Sequence, residues 1–160
     1  RLIDILFVYC SISIKIFIKT TIMKANKIYL LKFTKLVDIE DVKHPIYNDF
    51  TNCLNPEDVK YVGFTENDDV FIRLNDYKVD TFANIFTKYG FEFDVLDVTD
   101  SVIKGKTQKK YPEVEKLTPY LFEDFRVETT SIDDILDKIN ETGMDSLDKI
   151  DKNILSSTAS

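Results

Sequence analysis

The sequence predicts an α+β fold, in which an antiparallel sheet is backed by helices. Between residues 24 and 103, apolar runs of strand length alternate with two stretches that repeat apolar residues at helical spacing. Their order is strand, helix, strand, strand, helix, strand, which is the element order of a ferredoxin-like split βαβ fold. The alternative is another small α+β sandwich, to which residues 1–22 contribute a strand.

The first strand and the first helix are predicted from local pattern. Lys27–Leu36 (KIYLLKFTKL) is a strand candidate, with Ile28 and Leu30 facing a core. Pro45 suits the first turn of a helix, where its missing N–H leaves no hydrogen bond unmade. We predict that this helix runs to Leu54, although only ten residues support it.

The second half of the body has clearer signals. Tyr61–Phe64 and Val70–Leu74 are predicted to form a hairpin around a five-residue polar loop. A residue at 75–76 can cap the second helix, and Gly90 is placed to end it. Phe91–Val95 alternates apolar with acidic residues, which predicts a half-buried fourth strand.

Residues 104–126 are predicted to be a basic linker followed by an aromatic docking segment. The linker, Lys104–Lys110, carries four lysines and no large apolar residue, which predicts a solvated loop. The docking segment clusters apolar residues around Pro119. Such a cluster is expected to pack on the parent domain, and the alternative is an anchor for a partner. Its apolar residues are Leu117, Tyr120, Leu121, Phe122 and Phe125.

The most regular pattern lies in the acidic tail, residues 127–160, and predicts a hairpin of two short helices. Ser131 and Asp134 fit a capping box, Gly143 can end the first helix, and Asp148 opens a second capping pair. Helices this short are marginal in water, so their apolar stripes must bury against the body, each other or a partner. The predicted partner-docking residues are Ile132, Ile135, Leu136, Ile139, Leu147, Ile150, Ile154 and Leu155.

This tail resembles a short C-terminal motif: Ile-Leu-Asp-Lys-Ile, three residues, Gly, two residues, Ser-Leu and a capped second helix. The matching residues are Ile135–Ile139, Gly143, Ser146–Leu147 and 148–155. The motif is associated with the tails of rhomboid-type membrane proteases and of many small bacterial and phage proteins. Its usual second cap is Thr with Glu three residues later, whereas Asp148 and Asp151 stand here. The motif has no known catalytic role, so the resemblance implies a bacterial or phage lineage and no activity.

Residues 1–22 are apolar and β-branched, and three interpretations are open. The favoured one is upstream sequence translated in frame before a true start at Met23, because the chain begins at Arg1. The second is a genuine strand or helix. The third is a signal peptide or membrane anchor, but the uncharged run Ile5–Ile14 is shorter than the roughly 20 residues of a spanning helix.

Composition limits the classes of partner and compartment. The net charge of −7 disfavours general binding to nucleic-acid phosphates. The two cysteines form neither a disulfide framework nor a C-x-x-C pair, which indicates a reducing compartment. We therefore expect a cytoplasmic protein, with membrane association only if residues 1–22 are an anchor.

Motifs typical of phosphate-binding and catalytic sites are incomplete in this sequence. Gly105-Lys106-Thr107 lacks the earlier glycine of a phosphate-binding loop, since position 100 is Asp. His44 and Cys53 would lie about 13 Å apart along one helix, too far for a catalytic dyad. We interpret them as a capping or surface histidine and a buried cysteine.

Two acidic clusters and one aromatic set complete the candidates. Carboxylates at 66–69 and 94–100 could suggest a divalent metal, but the first lacks the glycine and terminal Glu of a calcium loop. Neighbouring carboxylates of the second cluster would point to opposite faces of a strand, so they converge poorly on one ion. Tyr61, Phe64 and Phe71 could stack on RNA bases, although few basic residues accompany them.

We therefore expect a non-enzymatic protein-interaction or accessory module that has a protein partner and needs neither a cofactor nor a metal. The alternative is a small-molecule-binding or enzymatic α+β domain with a carboxylate, Tyr and Lys site. RNA binding through the sheet is a weaker alternative. The sequence makes no prediction of the oligomeric state or of the partner's identity.

Overall fold

The computed structural model describes residues 27–39, 41, 43–55, 58–117 and 120–158. The interpretations of residues 1–22 and of Pro119 lie outside the described residues, as do the side chains of Tyr61 and Leu117. Four strands form one antiparallel sheet in the order β2-β3-β1-β4. The strands are β1 (Lys27–Lys35), β2 (Val59–Phe64), β3 (Val70–Leu74) and β4 (Glu92–Asp97).

The described ranges contain eight α-helices. Two come from the body: α1 (Pro45–Cys53) and α2 (Val79–Lys88), the second preceded by a 3-10 turn at Asp76–Lys78. Four short ones follow the sheet: α3 (Thr99–Ile103), α4 (Lys106–Lys110), α5 (Pro112–Leu117) and α6 (Leu121–Thr129). The last two, α7 (Ile132–Thr142) and α8 (Lys149–Thr158), flank a 3-10 turn at Met144–Ser146. None of the described helices is long and apolar enough to cross a membrane.

The predicted α+β class and antiparallel sheet are confirmed. The four strands and the two helices of the body lie where the sequence predicts them, with ends shifted by a few residues. The predicted loop at 104–110 is wrong, because Lys106–Lys110 forms α4. Thr107, the second residue of α4, is buried, and its hydroxyl donates a hydrogen bond to Ser101 Oγ at 2.8 Å.

The first face of the sheet packs on α1 and α2. Tyr29 and Leu31 of β1 lie on this face with Ile72 of β3, and they meet Phe50 of α1 and Phe86 of α2. The rings of Phe50 and Phe86 meet edge to face, with centroids 5.3 Å apart. This geometry contributes beyond the area that the rings bury.

The second face of the sheet is also buried, by the helices that follow β4. Ile28 and Leu30 point to this face because side chains alternate along a strand. They pack with Phe71 of β3 and with residues of α3, α5 and α6, including Phe122 and Phe125. The predicted packing of the aromatic segment on the body is therefore confirmed for Leu121, Phe122 and Phe125, whereas Tyr120 is exposed.

A buried arginine on this second face needs its own explanation. Arg73 of β3 is 1% exposed, which is costly for a charge unless it is paired. Its Nη2 donates to Glu128 Oε2 at 2.6 Å, and its guanidinium lies 4.9 Å from the centroid of the Phe125 ring. Glu128 and Phe125 both belong to α6. The helix that buries Arg73 therefore also supplies the groups that compensate its charge.

Phe71→Ala tests whether the helical cover of the second face is part of the core. Phe71 is fully buried, and its ring centroid lies 5.1 Å from that of Tyr111 and 5.2 Å from that of Phe122. We expect the free energy of unfolding to fall by about 3–5 kcal/mol, the usual range for truncating a core phenylalanine. Urea titration measures this change. The control Tyr120→Ala, at an exposed aromatic residue, should change it by about 0.5 kcal/mol or less. Similar losses for the two variants would contradict the account.

Candidate docking surface

The two tail helices are set by capping interactions that their sequence encodes. Ser131 Oγ accepts a hydrogen bond from the amide of Asp134 at 3.1 Å, and Asp134 Oδ2 accepts one from the amide of Ser131 at 2.8 Å. The predicted capping box is thus confirmed. The hydrogen bonds from the Ser131 hydroxyl and amide lower the pKa of Asp134.

The chain turns between the two helices at Gly143. Its φ of +82° is unfavourable for residues with a side chain, which explains the glycine that ends α7. A Cβ at this position would meet no atom within 4 Å, so the backbone angle and not crowding is the constraint. The Gly143 amide donates to the Ile139 carbonyl at 2.8 Å.

The second helix begins with the acidic pair that replaces Thr and Glu of the motif. Asp148 Oδ1 accepts hydrogen bonds from the amides of Ile150 at 3.0 Å and Asp151 at 3.1 Å. Asp151 Oδ2 accepts one from the amide of Asp148 at 3.2 Å. This reciprocal pair performs the capping that the sequence predicts for these two positions.

The same two carboxylates bind a buried arginine of α6. Arg126 Nη1 donates to Asp148 Oδ2 and Arg126 Nη2 donates to Asp151 Oδ1, each at 2.6 Å. Lys138 of α7 adds a bond from Nζ to Asp151 Oδ2 at 2.6 Å. Arg126 and Asp151 are each 2% exposed at the side chain. One cluster therefore joins α6, α7 and the start of α8; we call Arg126, Lys138, Asp148 and Asp151 the arginine clamp.

Gly105 explains how the clamp fits against α3 and α4. A Cβ on Gly105 would lie 3.2 Å from Asp148 Oδ2 and 3.5 Å from Arg126 Nη1. The residue also has a φ of +70°. The Gly-Lys-Thr triplet is thus part of a packing contact: its glycine lies on the clamp and its threonine bonds to Ser101.

The clamp changes the acidity of Asp148. Burial alone would raise the pKa of Asp148, but the hydrogen bond from Arg126, the amide of Asp151 and the charges of Arg126 and Lys138 outweigh it. The pKa is therefore lowered, and Asp148 stays ionised at neutral pH. Since the unfolded chain binds this proton more readily, the stabilisation from Asp148 is present above the unfolded pKa of about 3.9. It is lost as the pH falls through the lower folded value.

The structure separates the eight predicted docking residues into three groups. Ile135 and Leu147 are buried, at 1% and 4% exposure. Leu136 is 46% exposed, in the middle of α7. The remaining five are half-buried: Ile132, Ile139, Ile150, Ile154 and Leu155. The hairpin thus leaves part of its apolar surface accessible to solvent.

More apolar surface lies near Leu136 in the sequence. Among the described residues, eight large hydrophobic side chains are exposed, and four of them lie between positions 120 and 144. They are Tyr120, Val127, Leu136 and Met144. Exposed apolar side chains mark a surface that binds other proteins where they form one contiguous patch.

A cleft of about 390 Å³ separates α7 from α3 and α4. Lysines line it, among them Lys104 and Lys106, together with carboxylates such as Asp137 and Glu141. Its least exposed carboxylate, Asp151, is held by the clamp, and Asp134 serves the α7 cap. These two carboxylates therefore stabilise the hairpin structure.

The other sequence candidates have local structural roles. His44 Nδ1 accepts a hydrogen bond from the amide of Ile46 at 3.3 Å, so His44 is a helix cap as predicted. Cys53 is exposed, so its predicted burial is wrong. Asp97 pairs with Lys27 at 3.0 Å, and Phe71 is buried under α6. No group of His, Cys, Asp and Glu within the described ranges is arranged to hold a metal.

Sequence reasoning missed Arg126 and Lys138, which hold the hairpin in place. The available signal was a single arginine that directly follows the buried aromatic residues Phe122 and Phe125. A charge inside an apolar segment requires a partner when it is buried. The acidic tail supplies that partner 22 and 25 residues later.

Comparisons with protein-family models, with curated proteins and with solved structures find no match for this chain.

Arg126→Met tests the clamp. Removing Arg126 leaves the buried Asp151 with Lys138 as its remaining cation. Breaking a buried ion pair in this way costs about 3–5 kcal/mol. We expect a loss of this size in the free energy of unfolding, measured in urea at neutral pH. The control Lys35→Met removes an exposed ion pair with Glu92 and should cost about 1 kcal/mol or less. Equal losses for both variants would rule out a structural clamp.

Proposed function

We propose that this chain is a non-enzymatic protein-interaction module that binds a protein partner through the outer face of its C-terminal hairpin. The observation that carries the proposal is the exposed Leu136 at the centre of α7, on a hairpin fixed in place by the arginine clamp. A rigid surface loses less conformational entropy on binding than a mobile tail does. The clamp therefore favours partner recognition by a preformed face.

The binding face is defined by the geometry of α7. Ile132, Leu136 and Ile139 are spaced i, i+4 and i+7, so they share one side of the helix. None of the three is fully buried. Ile135, by contrast, is 1% exposed and does not belong to this accessible set. A helix side of this kind suits an apolar groove on a partner, where a few anchors dominate the affinity.

The body is proposed to be a ferredoxin-like split βαβ unit that serves as the scaffold. Its support is the strand order β2-β3-β1-β4, with the two body helices α1 and α2 packed on one face. The sheet's other face is covered by α3, α5 and α6, with Phe71 at its centre. That burial favours protein binding by the hairpin over base stacking by the sheet.

The tail is further proposed to belong to the class of bacterial and phage C-terminal hairpins that it resembles. Its support is the pair of capping boxes at positions 131 and 148 and the positive φ of Gly143. In this chain the second capping pair also binds Arg126, so capping and docking depend on the same carboxylates.

Leu136→Lys tests the proposed binding face in the full chain. Cross-linking in an extract of the source organism identifies a candidate partner, and titration of the purified pair gives the dissociation constant. We expect Leu136→Lys to weaken binding at least about tenfold, because a lysine placed in an apolar contact must be desolvated. The fold should tolerate the change, since Leu136 is already 46% exposed.

Leu36→Lys is the matched control, because Leu36 is 47% exposed and is not part of the hairpin. It directly follows the last residue of β1. It should leave the dissociation constant unchanged. Equal binding by the wild-type chain and both variants would contradict the proposal. Point variants are preferable to deletion of the tail, since deletion also removes the carboxylates that bind Arg126.

A further inference from the structure

The outer edge of β4 has backbone groups directed away from the sheet. The Val98 amide donates a hydrogen bond to the Ile28 carbonyl at 3.0 Å. Together with the register of β1 and β4, this bond identifies which residues of β4 direct their amide and carbonyl groups toward β1. Amide and carbonyl groups alternate in direction along an antiparallel strand. Those of Phe93, Val95 and Asp97 therefore point away from β1, and no described residue pairs with them.

Both faces beside this edge carry exposed apolar side chains. Val95 pairs in register with Leu31 on the first face, and Leu96 pairs with Leu30 on the second. Val95 is 37% exposed and Leu96 is 43% exposed. An exposed edge of this composition is the structural requirement for the addition of another strand.

A recess beside Leu96 gives the edge a place for one inserted side chain. Its volume is about 150 Å³, and its lining combines the apolar Leu30, Leu96 and Val98 and the ring of Tyr111 with the polar Lys32, Ser101, Thr107 and Lys110. The recess lies on the second face, where a strand added next to β4 would direct every other side chain. Strand addition obtains affinity from the backbone and specificity from pockets of this kind.

The charged side chains of β4 determine which charge an added strand should carry. Its charged side chains are Glu92, Asp94 and Asp97, with no basic residue among them. Glu92 and Asp97 form ion pairs with Lys35 and Lys27 of β1. Asp94 lies opposite Lys32 in the register, but it is exposed and makes no ion pair with a described residue. Opposite charges directly across two strands are stabilising and like charges are destabilising. If a second copy of the chain bound here, two β4 strands would lie side by side, and the only charged side chains of each are carboxylates. A strand with basic side chains therefore fits better.

We propose that the outer edge of β4 binds an extended segment of another protein, in which two Lys or Arg residues spaced three apart flank apolar and β-branched residues. The segment pairs antiparallel with β4 and exchanges hydrogen bonds with the backbone of Val95. It places a basic residue opposite Asp94 and an apolar side chain in the recess beside Leu96. This surface is separate from the hairpin face formed by α7.

Two synthetic peptides test the proposal on the full chain. The basic peptide Thr-Lys-Leu-Val-Lys-Ile-Thr sets lysines opposite Asp97 and Asp94, and leucine opposite Leu96. The acidic peptide Thr-Glu-Leu-Val-Glu-Ile-Thr differs only at the two charges. We expect the basic peptide to bind at least about tenfold more tightly in fluorescence anisotropy, because two cross-strand pairs change sign.

Variants of the edge separate strand addition from general charge attraction. Val95→Pro removes an outward amide that β1 does not use, so an edge strand tolerates it while an added strand is blocked. It should abolish binding, whereas Val95→Thr, which keeps the amide, should bind like the wild type. Asp94→Lys should abolish the preference between the two peptides, because each peptide then makes one favourable and one unfavourable cross-strand pair. This variant tests the edge independently of the proline variant.

Three results would overturn the proposal. The first is that neither peptide binds the full chain. The second is that Val95→Pro binds as the wild type does while circular dichroism is unchanged. The third is a dimer in sedimentation that Val95→Pro dissociates, which would assign the edge to a second copy.

Discussion

The structure depends on the burial of β1 and β3 from both sides. All five residues of β3 are buried, including Arg73, and consecutive residues of β1 belong to different cores. The helices α1 and α2 can cover only one face of such a sheet. The other face would expose Ile28, Leu30 and Phe71 unless the segment after β4 folded back over it. The helices α3 to α6 are therefore part of the core and cannot be a flexible linker.

The arginine clamp connects this core to the start of α8. Arg126 lies on α6, which already contacts the sheet through Phe122 and Phe125. Because burial of a lone guanidinium is costly, Asp148 and Asp151 must come to it, and they bring the hairpin with them. The position of the proposed binding face around Leu136 follows from this pairing. Such a pair adds little net stability compared with an apolar replacement of similar volume, because both charges must be desolvated.

Sequence reasoning succeeded where structure follows from local periodicity and failed where it depends on distant contacts. The strands, the two body helices and the caps at Ser131 and Gly143 were predictable, because each depends on residues within one or two turns. Helix α4 was not, since Lys104–Lys110 appears fully polar and its structure rests on the burial of Thr107 against Ser101. The ion pairing of Arg126 was not predictable either, because its partners lie 22 and 25 residues away in the sequence. The edge of β4 required the strand order, which the order of elements along the chain does not specify alone.

The central claim is that the sheet, its second helical layer and the tail hairpin form one cooperative unit. Hydrogen exchange of the full chain, read residue by residue, tests it most directly, because exchange reports the free energy of local opening. The account predicts that the protected amides of α6 and of the first turns of α8 exchange with the same opening free energy as those of β1 and β3. Exchange of α6 and α8 near the rate of an unfolded peptide, with the sheet still protected, would contradict it.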